Sequence, residues 1–404
     1  MKRTGSPSRE RPDYVLVASA ALVVAAGLAA VYSASSAMDE ESLFTRQILS
    51  TVLGAGVFVL GMRISLRLLD ELAPILFAAT CLLLVVTIFA GTGPAGRWLI
   101  VGPFRIQPSE IAKVAIILLA ARWLSTIRTG SGKYSEGVLL LVLATAVVLT
   151  WLQPDLGTAV SMCIIVLGMF YWAGYGLSWI FLLLSPLLAA ISSIHIVYWV
   201  IFTSMLCAAL VRRHASPRMW AGFLAGNTVI AALTPWAWNL LRPYQQARLT
   251  TFLNPGADPH GAGWNVIQSE VAVGSGGLFG QGFLHGAQKQ LAFLPARHTD
   301  FIFPVWAEEF GFVGALLLLS AFFVIIWRVV AAGRKSLNPF NSLVAAGTAV
   351  YFSIHVILNV GMSVGVMPVT GLPLLLVSFG GNHLLMALFL LGLAVNSGSS
   401  WRIY

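Results

Sequence analysis

Tyr14–Ser36 runs without a single charged residue, and eleven further apolar stretches follow it. Each is near the ~20 residues that a helix needs to cross a bilayer. Together they occupy approximately residues 14–36, 43–62, 72–91, 109–127, 137–152, 156–174, 178–194, 195–211, 218–241, 301–327, 342–362 and 372–397. Only 10% of the 404 residues are charged and 58% are hydrophobic. An ordinary soluble domain carries about 25% charged residues, so a water-facing surface is excluded, and so is disorder. The expected class is all-α: a polytopic membrane bundle of about 10–12 transmembrane helices with a large extracytoplasmic loop.

The first run is longer than the ~7–15 residues of a signal-peptide core, and reads as a signal anchor or first span. It follows Met1–Asp13, which holds Lys2, Arg3, Arg9 and Arg11. The net charge is +9, from 24 Lys+Arg against 15 Asp+Glu. Placing both termini in the cytoplasm and alternating sides puts most of the basic residues on the cytoplasmic side, among them Arg212, Arg213 and Arg218. The excess then follows the positive-inside rule and needs no nucleic acid. Cys81, Cys163 and Cys207 lie far apart inside apolar runs, which reads as small core residues rather than a disulfide framework or zinc site.

Four segments follow: a cytoplasmic tail at 1–13, an N-terminal bundle at 14–241, an extracytoplasmic loop at 242–300 and C-terminal helices at 301–404. Met38–Leu43, Gly91–Pro108, Gln153–Asp155, Arg242–Asp300 and Met367–Leu372 then share one side of the membrane.

Those outward segments carry the unusual residues. Arg97-Trp98 precede Arg105-Ile106-Gln107-Pro108-Ser109-Glu110, and Lys113 stands three residues beyond Glu110 on one helix face. This is either an intrahelical ion pair or an anion site of Arg97, Arg105 and Lys113 that Glu110 orients. Asp155 follows Pro154 and either caps the next helix or meets a ligand or basic residue. Asp258 lies in Asn254-Pro255-Gly256-Ala257-Asp258-Pro259-His260-Gly261, where it is a turn former or a general base. Gly274–Gly282 does not match a phosphate-binding loop and reads as flexible re-entrant backbone. Arg297-His298 lead into a span with Glu308-Glu309, at least one of which must point into the bundle. HExxH, GxSxG and Walker sequences are absent.

As an ordered set, these pieces resemble the SEDS (shape, elongation, division and sporulation) family, also called FtsW/RodA/SpoVE. The matching residues are RQ at Arg46–Gln47, GRW…FRIQPSEIAK, QPDLGT, RPYQ, DPHGAGWNVIQS, GSGGLFGQGF, QKQLAFLPARHTDFIFPVWAEEFGFVG and NVGMSVGVMPVTGLPLLLVSFGG. DPHGAGWNVIQS with QKQLAFLPARHTDFIF looks more like the elongation branch than the division branch. The resemblance implies a peptidoglycan glycosyltransferase in the bacterial inner membrane, polymerising lipid II through β-1,4 linkages with undecaprenyl diphosphate leaving. It implies Asp258 as the catalytic base, and Arg46, Arg97, Trp98, Arg105, Gln107, Glu110, Lys113, Asp155, Arg297, His298 and Glu308 as substrate-binding residues. Mg2+ or Mn2+ would bind with the lipid diphosphate, without an organic cofactor. The implied partners are a class B penicillin-binding protein and the elongation complex. A lipid II flippase, a cell-wall scaffold and a division polymerase are the alternatives. Three departures stand out: Asn254 where the family often has Asp, Asn382-His383 in place of two serines, and about two extra spans within 178–241.

Overall fold

A computed structural model describes residues 12–36, 41–93, 96–102, 104–128, 136–240, 246, 250–252, 263–286 and 297–398. The helices are α1 (Tyr14–Ser36), α2 (Glu41–Arg63), α3 (Leu66–Ala90), α4 (Pro108–Arg128), α5 (Glu136–Leu152), α6 (Leu156–Trp172), α7 (Leu177–Ser192), α8 (Ile196–Arg212), α9 (Pro217–Leu240), α10 (Trp264–Ser275), α11 (Ile302–Lys335), α12 (Pro339–Ser363) and α13 (Gly381–Gly398). An antiparallel hairpin, β1 (Leu99–Val101) with β2 (Phe104–Ile106), sets Ile100 opposite Arg105 just before α4. Among the described residues, α1, α2, α3, α11, α12 and α13 are each long and apolar enough to cross a membrane. The apolar helices α5 to α8 have 16 or 17 residues, about 25 Å at 1.5 Å per residue. This is an all-α, multi-pass membrane protein.

The chain packs as two units: residues 1–169 with 254–404, and residues 170–253. In the second, Leu182, Ala189, Phe202, Leu206, Ala209 and Leu210 form the core of α7–α9. The first is organised around α4, whose residues Ala112 to Ala121 are all buried. Such a helix, apolar on every side, belongs to a bundle centre. Gly61 and Gly392 let α2 and α13 approach closely, since a Cβ on Gly392 would stand 2.3 Å from the Phe58 carbonyl oxygen.

Two expected spans need correction. The run 372–397 is not one helix: α13 starts at Gly381, and residues 371–380 are irregular. Apolar length alone cannot tell a buried irregular segment from a span. Leu376 and Gly380 have φ of 66° and 147°, which no helix accepts. Irregular backbone inside a membrane protein survives where protein groups satisfy it. Here Asn359 Nδ2 donates to the Leu372 carbonyl (2.8 Å), His355 Nδ1 contacts that of Pro373 (3.0 Å), and Leu374 N donates to Ser378 Oγ (2.8 Å). Gly27 makes room on α1, because a Cβ there would lie 2.3 Å from the Leu376 carbonyl oxygen.

The run 301–327 continues as α11 to Lys335 and breaks at Gly311 (φ 65°, ψ −167°). A break frees two carbonyls and two amides, and all four are re-paired by the glycine-rich segment. Gln281 N and Gly282 N donate to the carbonyls of Glu308 (2.9 Å) and Glu309 (3.1 Å). Phe312 N and Val313 N donate to those of Gly277 (2.9 Å) and Leu278 (3.1 Å). The segment is therefore a backbone clamp on a broken helix. A Cβ on Gly311 would sit 2.3 Å from Gly280 N, whereas one on Gly56 meets nothing within 4 Å. Gly311→Ala should therefore destabilise by about 2–6 kcal/mol, combining positive-φ strain with overpacking, while Gly56→Ala stays near neutral. Thermal unfolding in detergent checks the pair.

None of the cysteines is buried: Cys163 is exposed, and Cys81 and Cys207 are half-buried. They sit on outward faces rather than in the core.

Candidate functional site

The site lies at the end of the first unit where α4, α6, α11 and α13 begin and α3, α5 and α12 finish. Arg97 fastens the hairpin to the turn between α5 and α6. Its Nε donates to the Gln153 carbonyl (3.2 Å), Nη2 to that of Pro154, and Nη1 pairs with Asp155 Oδ1 (3.5 Å). Asp155 Oδ1 also accepts from Thr158 N (3.3 Å), so it caps α6 and meets a basic residue at once. Trp98 is half-buried and pairs with Thr92 through the backbone. Gln107 Nε2 donates to Ser109 Oγ (3.1 Å) at the start of α4.

Below this rim is a buried polar network. Lys113 Nζ donates to Glu110 Oε1 (2.8 Å) and meets His355 Nε2 (3.2 Å), with the Tyr351 ring centroid 5.3 Å away. An ammonium only donates, so His355 Nε2 is the acceptor and Nδ1–H donates to the Pro373 carbonyl. Lysine, carboxylate and histidine thereby tie α4 to α12 and to the irregular segment 371–380. Lys113 is fully buried, and Glu110 Oε2 has no hydrogen-bond partner among the described residues. Ionisable groups held this deep in a membrane bundle mark a functional region. The three cations expected to form one anion site have different surroundings: Arg97 holds the α5–α6 turn, Lys113 sits in the network, and Arg105 is exposed.

A second set of contacts converges on residues 378–383, made by segments that carry cationic residues. Arg46 is exposed beside Gln47, whose amide donates to the Ser378 carbonyl (3.4 Å) and accepts from Gly380 N (3.1 Å). The Arg105 carbonyl accepts from Asn382 Nδ2 (2.8 Å). The His298 carbonyl accepts from Phe379 N (2.8 Å), and the His298 ring meets the Phe379 ring edge-on. Arg297 is 1% exposed. Of the departures from the family pattern, Asn382 reaches across to β2, whereas His383 Nε2 contacts the nearby Ser378 carbonyl (3.2 Å).

Both adjacent carboxylates on α11 are buried. Glu309 accepts from Ser33 Oγ on α1, and Glu308 faces Gly286, where a Cβ would stand 2.6 Å from its Oε2. Asp258 lies outside the described residues. Sequence reasoning missed Tyr351, His355, Asn359 and Ser363, all buried and spaced four apart on α12. That spacing of polar residues in an apolar helix was the available signal.

The family profile FTSW_RODA_SPOVE, described as a cell cycle protein, matches residues 13–400. The chain is 34% identical over 388 residues to peptidoglycan glycosyltransferase MrdB of Escherichia coli (strain K12), covering 95% of this chain and 92% of that one. It is 32% identical over 423 residues to peptidoglycan glycosyltransferase RodA of Treponema pallidum, covering 95% and 96%. Among solved structures, a chain from a peptidoglycan synthase complex that coordinates polymerization and crosslinking superposes with a TM-score of 0.72 at 29% identity, covering 98% of this chain and 100% of that one. The rod shape determining protein RodA of Thermus thermophilus gives 0.63 at 27% identity, covering 96% and 97%.

Proposed function

This chain belongs to the FtsW/RodA/SpoVE family, and from that membership we infer that it is a peptidoglycan glycosyltransferase of the elongation type. It polymerises lipid II in the bacterial inner membrane, RodA-like rather than FtsW-like. The observation that carries the mechanistic reading is the convergence on residues 378–383 of hydrogen bonds from the segments that carry Arg46, Arg105 and His298.

The acceptor 4-hydroxyl attacks C1 of the donor sugar. A new C–O bond forms there as the bond to the diphosphate breaks, and the hydroxyl proton passes to a base. We assign that base to Asp258, supported by its place in the DPHGAGWNVIQS motif. The departing diphosphate gains negative charge, which prepositioned cations stabilise. Arg46 and Arg105 suit this task, being exposed and without an ion-pair partner among the described residues. Arg297 and His298 adjoin the same turn. Trp98 and Gln107 lie on the hairpin and helix start that carry Arg105. Arg97, Asp155, Glu110, Lys113 and Glu308 act as positioning residues, holding the hairpin, α4 and α11. Among the described residues no three His, Cys, Asp or Glu side chains are placed to hold a metal ion. Mg2+ or Mn2+ would accordingly take its ligands chiefly from diphosphate oxygens.

Both lipid tails stay in the bilayer while the sugars meet above it, which requires a membrane fold. A class B penicillin-binding protein is the proposed transpeptidase partner within the elongation complex, and both termini are assigned to the cytoplasm. Purified protein with lipid II and such a partner should give glycan polymers on a gel. Lipid scrambling in liposomes without polymer would instead make the chain a flippase.

A further inference from the structure

We propose that the turn between α8 and α9, with the groove along α9, binds one anionic membrane phospholipid, its headgroup on Arg213 and Arg218 and one acyl chain in the groove. Residues 170–253 contain no Asp or Glu, so Arg212, Arg213 and Arg218 have no carboxylate partner in their own unit. All three are exposed. The Arg213 guanidinium stands 5.7 Å from the Trp179 ring, and Trp179 is fixed by Phe170 (5.9 Å) and Tyr175 (5.4 Å). An arginine on an indole suits the headgroup level of a bilayer.

An apolar groove of about 320 Å³ lies along α9, lined by Met219, Gly222, Gly226 and Ile230 and faced by Pro186 of α7. Arg218, Gly222, Gly226 and Ile230 are four residues apart and form one helix stripe. A Cβ on Gly222 or Gly226 would meet nothing within 4 Å, so the two glycines leave the groove open. Twelve residues of α9 rise about 18 Å, slightly more than half of a ~30 Å hydrocarbon core, the depth of one leaflet. Asn227 Nδ2 donates to Ser185 Oγ (3.1 Å) and to the Phe223 carbonyl (2.7 Å), which ties α7 to α9 beside the groove. Basic residues at span ends are common. Here Arg218 stands one helical turn before the groove-lining Gly222 and next to Met219, which topology alone does not require. A GxxxG stripe also suits a partner helix, but the exposed Arg213 and Arg218 beside it, with no carboxylate in their own unit, favour an anionic headgroup.

Native mass spectrometry of the full chain in detergent, with phosphatidylglycerol or phosphatidylcholine added, tests this. One phosphatidylglycerol should survive delipidation that strips phosphatidylcholine. Arg213→Gln with Arg218→Gln should weaken its retention about 30-fold. Gly226→Leu should abolish retention with every arginine in place, by filling the groove. Both sets lie on exposed or open surface, and unchanged gel-filtration profiles confirm that the variants fold. Undiminished retention in either variant overturns the proposal. So does a Gly226→Leu protein that keeps phosphatidylglycerol but loses a dimer or a helical partner, since the groove then belongs to a helix.

Discussion

Asp258→Asn should lower the rate of glycan polymerisation by about 10²–10⁴-fold, the usual contribution of a positioned general base, with thermal stability unchanged. Asparagine is the discriminating replacement. It keeps the size and the turn-forming hydrogen bonds of aspartate, so a residue that merely shapes the Pro255–Pro259 stretch would tolerate it. An amide cannot take the proton that the acceptor hydroxyl must lose, so a base would not. Initial rates of polymer formation from lipid II, with the transpeptidase partner present, separate the two roles. A variant with the wild-type rate would return Asp258 to the role of turn residue and leave the proton without an assigned acceptor.

The spans were legible because apolar length is itself the physical requirement for crossing a bilayer. Orientation within the bundle was less so. In a membrane helix the lipid face is as apolar as the core, and so Cys163 could not be told from a buried residue. The irregular segment 371–380 read as helix because hydropathy carries no φ, whereas the non-helical backbone after Ser275 was legible from its glycines. What those glycines clamp was not visible, since Gly311 stands far along the chain. In the site, Glu110 and Lys113 were paired by helical spacing alone. The partners at long range, Arg97 with Asp155 and Lys113 with His355, required the fold. The adjacent Glu308 and Glu309 are both buried because α11 is covered on two sides, by Ser33 of α1 and by the segment through Gly286.

Lys113→Met should destabilise the protein by about 3–5 kcal/mol, because it strands the Glu110 carboxylate in a dry interior. Glu110→Met combined with Lys113→Met should recover part of that loss, since a buried ion pair is often replaceable by apolar side chains of similar size. Recovery should fall short by about 1–3 kcal/mol, the cost of leaving His355 Nε2 without its donor. Polymerisation reads out a separate question. Lys113 Nζ is occupied by Glu110 and His355 and the side chain is fully buried, so its effect on chemistry passes through the placement of α4 and of segment 371–380. The double variant should therefore regain activity along with its fold. A double variant that melts as expected yet forms no polymer would place the ammonium on the substrate itself, and would require the network to open during turnover.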